Sequence, residues 1–448
     1  MWPALALGLA AFLTNFDVTA VVVALPAIAH ELHLDVAGYA WTMDAYSLAF
    51  TGSLLVAGAL ADRHGRRKAM LFGNLVFAVA SVACGLAWDG LSLNLARAAQ
   101  GIGAAFVVTG GIALIATAYP QTALRTRAFS WLGVMSGLAM ALGPTVGGIV
   151  SSWFGWRWIF LANLPACALV AWGIPRLVDE ARETSPRPLD FTGMAILTAA
   201  LFVLIESLLN SRSAPTGFFA GCGLALVLLA VFVLRQRRCA QPIFDPLIFL
   251  HPAMFGIGVL LASVSIGYWS VLVYLPSFLA AALGLSTDTA GIAMLAATLP
   301  MLFVPPLGGK SASVLGWRWH FALSLALMTI GSAGFIASLA ADGGPVQWLV
   351  YSAMMVMAIG AAFAHPQLSG AVVGMVPAEQ AGMASAVTVV VRQAGFAIGI
   401  AALGATLGAT DRADTYVLLF ACASGVSALG ALAAVTLLPS KSNAASRP

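Results

Sequence analysis

Long apolar stretches separated by short polar joints run the whole length of this chain. Residues 5–28, 38–60, 69–88, 91–118, 127–150, 157–175, 190–209, 216–234, 252–280, 288–308, 319–340, 346–370, 381–406 and 415–437 are each predominantly apolar. About 20 such residues in an α-helix cover the hydrocarbon of a bilayer and satisfy their backbone hydrogen bonds internally. The pattern predicts fourteen membrane-spanning helices, referred to here as spans 1 to 14. The first run carries Asp17 and has no basic segment before it, which reads as a retained helix and not as a cleaved signal peptide.

The joints predict an organisation. The longest charged joint runs from Arg176 to Asp190 with Pro175, Pro186 and Pro188, and a second runs from Arg235 to Asp245 followed by Pro246. They divide the chain into an amino-terminal six-helix bundle (1–175), a linker (176–189), an inserted helix pair (190–234), a second linker (235–251), a carboxy-terminal six-helix bundle (252–437) and a tail (438–448). The expected fold is all-α and polytopic, two six-helix bundles about a central path with two helices inserted between them in sequence. A weak internal echo supports a doubled bundle. Pro305-Pro306-Leu307-Gly308-Gly309-Lys310 and Gly316-Trp317-Arg318 stand in the second half where Gly58 to Lys68 stands in the first, without its acidic residue.

Composition sharpens the membrane assignment. Of 448 residues, 61% are hydrophobic and 8% charged, too apolar for a chain whose surface faces water. The charge is placed by side. Arg63, Arg66, Arg67, Lys68, Arg125, Arg127, Arg176, Arg182, Arg187, Arg235, Arg237, Arg238, Lys310, Arg318, Lys441 and Arg447 fall in the even-numbered joints and the tail, whereas Arg157, Arg212 and Arg412 fall on the other side. That bias predicts cytoplasmic termini and even-numbered joints, and it explains the net charge of +4 without any nucleic-acid footprint. Cys84, Cys167, Cys222, Cys239 and Cys422 are scattered without ligand-like spacing, so neither a disulfide framework nor a metal site is expected.

Several motifs carry a family resemblance. The run Gly58-Ala59-Leu60-Ala61-Asp62-Arg63-His64-Gly65-Arg66-Arg67-Lys68 resembles the signature loop of the major facilitator superfamily. Phe16-Asp17-Val18-Thr19 through Ala24-Leu25-Pro26, Trp41 through Asp44-Ala45-Tyr46, Arg97 with Gln100-Gly101-Ile102-Gly103, Gly143-Pro144-Thr145-Val146-Gly147-Gly148, Trp156 to Phe160 with Asn163-Leu164-Pro165, and Arg392-Gln393-Ala394-Gly395 agree with its fourteen-helix drug:proton antiporter branch. The resemblance covers nearly the full chain. It implies a multidrug efflux permease-like protein of the bacterial inner membrane, working as a monomer with protons, membrane lipids and a small organic substrate as its partners and with no cofactor.

The residues can also be read on their own chemistry. Asp17 lies midway through span 1, where a carboxylate must face the bundle interior, meet water or find a partner. It is expected to be the proton-coupling group, with a fixed packing bond as the other reading; the resemblance adds that this position often marks drug exporters. Asp44 lies near the outer end of span 2, either as a gate or cation contact or as a partly wet interfacial residue. Arg97 stands at similar depth in span 4 and can control the charge of a carboxylate. In the joint, Gly58, Asp62, Gly65 and Arg66 form a candidate conformational latch, with Asp62 free to pair with Arg66 or a helix end. In span 5, Gly133, Gly137, Gly143, Gly147 and Gly148 remove bulk and Pro144 interrupts the backbone ladder, permitting close packing and bending. The resemblance favours a conformational role for Gly143, Pro144, Gly147 and Gly148, although Ala139 occupies the motif's opening small position. Tyr268, Trp269, Tyr274, His365, Gln367, Arg392 and Gln393 are the candidates to meet a flat or cationic organic substrate in a central cavity. Glu206 in span 7 has no obvious cationic partner and reads as structural.

No Walker loop, zinc ligand set or nucleophile elbow is present, so an enzyme is not expected, and no repeated selectivity element suggests a channel. The expected function is secondary active transport, as proton-coupled export of small amphipathic or aromatic compounds by alternating access. The alternative is uptake, by a facilitator or proton symporter, of a nutrient or vitamin-like compound such as riboflavin.

Overall fold

A computed structural model of the chain describes residues 2–119, 121–182, 190–211, 214–239, 251–340, 345–374, 381–407 and 413–439. Arg187, Arg212, Arg412, Lys441 and Arg447, much of both linkers and nearly all of the tail lie outside the described residues. Every regular element among those described is helical. They are α1 (Trp2–Glu31), α2 (Val36–His64), α3 (Arg66–Gly85), α4 (Gly90–Ala118), α5 (Thr122–Phe154), α6 (Arg157–Leu161), α7 (Asn163–Leu177), α8 (Phe191–Leu209), α9 (Pro215–Arg238) and α10 (Pro252–Val264). A π-helical segment (Ser265–Ser270) leads into α11 (Val271–Leu283), followed by α12 (Thr287–Ala293), α13 (Leu295–Thr298), α14 (Pro300–Phe303), α15 (Pro305–Leu339), α16 (Gln347–Gly374), α17 (Ala381–Gly404) and α18 (Tyr416–Leu437). Eleven of the described helical stretches are long and apolar enough to cross a membrane, and a bent pair within α2 makes twelve. Two shorter apolar stretches, Thr287–Phe303 and Thr388–Gly404, fall where spans 10 and 13 are expected.

Proline and glycine explain where the observed helices depart from simple rods. Span 6 breaks into α6 and α7, with Pro165 in the first turn of α7, where its missing N–H leaves no gap in the ladder. Span 10 is divided into α12, α13, α14 and the start of α15, with Pro300 and Pro305 opening the last two. The joint expected between spans 10 and 11 remains helical except at Gly316, whose φ of 74° lies outside the range a residue with a Cβ readily adopts. Gly65, between α2 and α3, has a φ of 112°. The two glycines sit at corresponding places in the sequence echo.

The chain forms two compact units. The first comprises Met1–Thr198 with Ser286–Ile292, and the second comprises Ala199–Leu285 with Ala293–Pro448. Lipid tails are as apolar as the side chains, so helix contacts in a bilayer depend on close van der Waals fit and interhelical hydrogen bonds. In the first unit α2 and α4 meet at Gly101, where a Cβ would stand 2.3 Å from the Tyr46 carbonyl oxygen. Leu7, Met70, Leu114, Val170 and Ile174 pack one end of α1, α3, α4 and α7 together. In the second unit, the rings of Phe278, Phe335 and Phe420 pack at 4.4–5.7 Å. Phe219, Leu226 and Val227 on α9 are exposed, and only 11% of that helix's most apolar stretch is buried, as expected of a lipid-facing surface.

Candidate functional site

The first unit contains a buried charged cluster built from five helices. Asp17 is central in α1, and Arg97 and Gln100 stand three residues apart on one face of α4. Asn163 opens α7, and Ser81 comes from α3. The Arg97 guanidinium donates to Asp17 Oδ2 at 2.6 Å, while Asp17 Oδ1 accepts from Gln100 at 3.1 Å and from Asn163 at 2.7 Å. Gln100 also accepts from Arg97 at 2.7 Å and donates to Ser81 at 2.8 Å. Arg97 Nε reaches the Thr42 carbonyl of α2 at 3.2 Å, and its guanidinium carbon lies 4.5 Å from the centre of the Tyr46 ring. Asp17 and Arg97 have no solvent exposure. Such a pair offsets its desolvation through added hydrogen bonds, and losing one partner strands the other.

Asp44 has a different environment. It too is fully buried, deeper than the partly wet position its sequence location suggests, and among the described residues neither carboxyl oxygen has a hydrogen-bond partner. One Arg97 nitrogen, Nη2, is likewise buried without a partner. Asp44 lies in α2 between Thr42 and Tyr46, both of which touch Arg97, yet it does not join the cluster. Of the three sequence candidates, the fold brings Asp17 and Arg97 into contact and leaves Asp44 outside that contact, on the face of α2 opposite Thr42 and Tyr46.

The α2–α3 joint is held from an unexpected direction. Asp62 pairs with Arg66 at 2.9 Å across Gly65, as one of the two sequence readings has it. The N-terminus of α3 is capped from the segment after α7: Glu180 accepts from the Arg67 and Lys68 amides at 2.9 and 3.2 Å, and the Arg66 amide donates to the Ala181 carbonyl at 2.9 Å. In return, Arg67 Nη1 donates to the Val178 carbonyl at 3.1 Å, at the end of α7. A Cβ on Gly65 would stand 2.7 Å from the Glu180 carboxyl carbon, whereas one on Gly58 would meet nothing within 4 Å. Gly65 is therefore fixed by both backbone and space; Gly58 has no comparable contact.

The α5 residues form a close-packed ridge. A Cβ on Gly143 would lie 2.0 Å from Thr19 Oγ1, and one on Gly147 would lie 2.6 Å from the Ala20 carbonyl of α1. Gly148 faces the 286–292 segment, where its added Cβ would lie 2.7 Å from the Thr287 carbonyl. The Pro144 carbonyl borders Gly291, and Thr145 Oγ1 donates to the Gly291 carbonyl at 3.0 Å. Gly133 has open space around it.

The second-unit candidates divide by what their polar atoms touch. Tyr268 donates to the Ala297 carbonyl at 2.6 Å and Tyr274 to the Ile400 carbonyl at 2.7 Å, so both hydroxyls tie helices together. Trp269 Nε1 donates to His365 Nδ1 at 3.2 Å, with ring centres 5.3 Å apart. Gln367 packs beside Gly308, and Gln393 is half-buried on α17. Sequence reasoning assigned no site role to Gln100, Asn163, Ser81, Tyr46 or Glu180. The three-residue spacing of Arg97 and Gln100 in an apolar span was the available signal for Gln100.

Residues 7–265 match the Major Facilitator Superfamily. The chain belongs to that superfamily. Among its relatives, the Multidrug resistance protein Stp of Mycobacterium tuberculosis (strain CDC 1551 / Oshkosh) is 29% identical over 408 residues, covering 90% of this chain and 75% of the relative. The Tetracenomycin C resistance and export protein of Streptomyces glaucescens is 29% identical over 412 residues, with the same two coverages, 90% and 75%. A crystal structure of the peptide transporter POT in complex with sulfate aligns with a TM-score of 0.75 at 17% identity, covering 97% of this chain and 93% of that one. At that identity the likeness establishes the fold alone. This superfamily member is an all-α, multi-pass membrane protein with two helix bundles, a secondary active transporter of small organic molecules and not an enzyme.

Proposed function

We propose that the protein is a proton-coupled exporter of small amphipathic or aromatic organic compounds, of the fourteen-helix drug:proton antiporter branch. It works as a monomer in a bacterial inner membrane with both termini cytoplasmic. The two six-helix bundles, 1–175 and 252–437, alternate access to the substrate, and residues 190–234 form an inserted pair. The observation that carries this reading is the buried carboxylate of Asp44, unpartnered among the described residues, in the same unit as the fully bonded Asp17–Arg97 pair. An acid that exchanges a proton inside a membrane protein must do so without dismantling the fold. Asp44 has no hydrogen bond to break, while Asp17 gives up three, so Asp44 carries the proton and the Asp17–Arg97 cluster holds the surrounding helices together. The names of the two relatives, resistance in one case and resistance with export in the other, support the outward direction.

The experiment is transport in oriented proteoliposomes under an imposed pH gradient, with a panel of cationic drugs, neutral aromatics and vitamins. Gradient-driven movement out of the cytoplasmic-facing compartment is expected, and Asp44→Asn should abolish the dependence on the gradient while leaving folded protein in the membrane. Inward movement with the proton would overturn export. Undiminished gradient-driven transport by Asp44→Asn would return the coupling role to Asp17.

A further inference from the structure

The helices of the second unit contain an unmatched positive charge. Arg392 lies in α17, and Gly395 and Gly399, three and seven residues on, press the same face of that helix against α10 and the π segment. A Cβ on Gly399 would lie 2.2 Å from Ser270 Oγ and one on Gly395 3.2 Å from Ser265 Cβ, so there is no room there for the helix to shift inward. Arg392 is half-buried, and among the described residues no hydrogen bond or ion pair reaches it. The π segment against which Gly399 packs carries Trp269, whose Nε1 meets the imidazole of His365 on α16. That imidazole accepts from Trp269 through Nδ1, which leaves Nε2 carrying the proton in the neutral ring and available as a donor.

Among the described residues, the helices around Arg392 supply no negative charge. The sequences of α10, the π segment, α11 and α13 to α18 contain neither aspartate nor glutamate. The described acids of the second unit are Glu206 in α8, hydrogen-bonded to Asn210 just past the end of that helix at 2.6 Å, and Asp414 in the turn before α18. An arginine inside a membrane bundle stays charged and is costly without a partner. A guanidinium, an imidazole N–H and an indole face on neighbouring packed elements offer an anion two kinds of donor and an aromatic ring a stacking surface.

We propose that Arg392, with the Trp269–His365 pair, is the recognition point for the acidic group of an aromatic organic anion carried by this transporter. The inference rests on the transport reading above and narrows its substrate class: the ligand itself supplies the missing negative charge. The Trp269 ring holds the aromatic body, and Arg392 holds the carboxylate or phenolate.

The test is equilibrium binding to the full chain in nanodiscs without any gradient. It compares 2-naphthoate with its neutral and cationic counterparts, 2-naphthylmethanol and 2-naphthylmethylamine. The wild type should bind the anion at least about ten-fold more tightly than either counterpart, the size expected for one desolvated charge contact. Arg392→Gln should erase that preference while changing neutral binding by less than about two-fold, and Arg392→Lys should keep part of it. Trp269→Ala should weaken anion and neutral compound alike. The proposal is overturned if the wild type has no preference for the anion, if Arg392→Gln retains it, or if Arg392→Gln weakens all three probes equally, as a structural arginine would. Should Arg392→Gln not fold, the wild-type preference and its partial retention in Arg392→Lys decide. Anion binding as expected without any movement in proteoliposomes would leave this site standing and remove the export reading, so the two fail separately.

Discussion

Asp17 and Asp44 lie equally deep but differ in their surroundings. Three donors converge on Asp17, and removing its charge leaves Arg97 buried without its counter-ion. Asp17→Asn should therefore lower stability by about 3–5 kcal/mol, the range for breaking one side of a buried pair. Asn163→Ala should cost about 1–3 kcal/mol by removing one of Asp17's neutral donors. Asp44→Asn removes no hydrogen bond and should stay within about 1 kcal/mol of wild type. Thermal unfolding of the three purified variants in one detergent checks the order; equal losses at Asp17 and Asp44 would show that Asp44 has a partner after all. The two charged members of the cluster were legible in the sequence because an ionised residue within an apolar run has few reasons to be there. Gln100, Asn163 and Ser81 were not, because amides and hydroxyls are common in membrane helices and often bond within their own helix, as Thr14 does to Ala10 and Ala11.

Between helices, the joint at Gly65 shows how a short motif depends on a distant one. Asp62–Arg66 is a half-exposed ion pair between residues four apart, and such pairs contribute only about 0–1 kcal/mol. More constraint comes from Glu180, which caps α3 across 113 residues of sequence and leaves no space for a Cβ on Gly65. Gly65→Ala should destabilise the joint by about 1–3 kcal/mol through its left-handed φ and this clash, while Gly58→Ala should be silent. Glu180→Ala should cost about 1 kcal/mol, as loss of a helix cap does. Both Gly65→Ala and Glu180→Ala should speed tryptic cleavage within Arg63 to Lys68 relative to wild type and Gly58→Ala; unchanged cleavage in both would mean that the cap does not hold the joint closed. The joint's charge and glycines were legible from sequence, but Glu180 was not. It stands in a loop rich in charge, where an acid reads as solvated, and nothing local marks it as the cap of a helix more than a hundred residues earlier.

For the molecule as a whole, the positive-inside pattern gives a direct test of sidedness. Single cysteines replacing Ser185 and Ser213, both outside the described residues, should react with impermeant reagents from opposite faces of the membrane, Ser185→Cys from the cytoplasm; labelling from one face would break the fourteen-span register. The two-bundle architecture was legible because apolar runs long enough to span are hard to mistake, whereas the breaks in spans 6 and 10 depend on tertiary packing around their prolines. The doubled plan is visible in single contacts. Arg67, two residues after Gly65, bonds the carbonyl of Val178 just past α7, and Arg318, two residues after Gly316, bonds the carbonyl of Leu438 just past α18 at 2.8 Å. The two partners are 111 and 120 residues apart. At a synthesis rate of about 5–20 residues per second, each arginine is in place for on the order of ten seconds before its carbonyl has been made. The first half can thus fasten itself while the second is still being translated, and a chain truncated shortly before residue 438 would have its first half clasped and its second half still open.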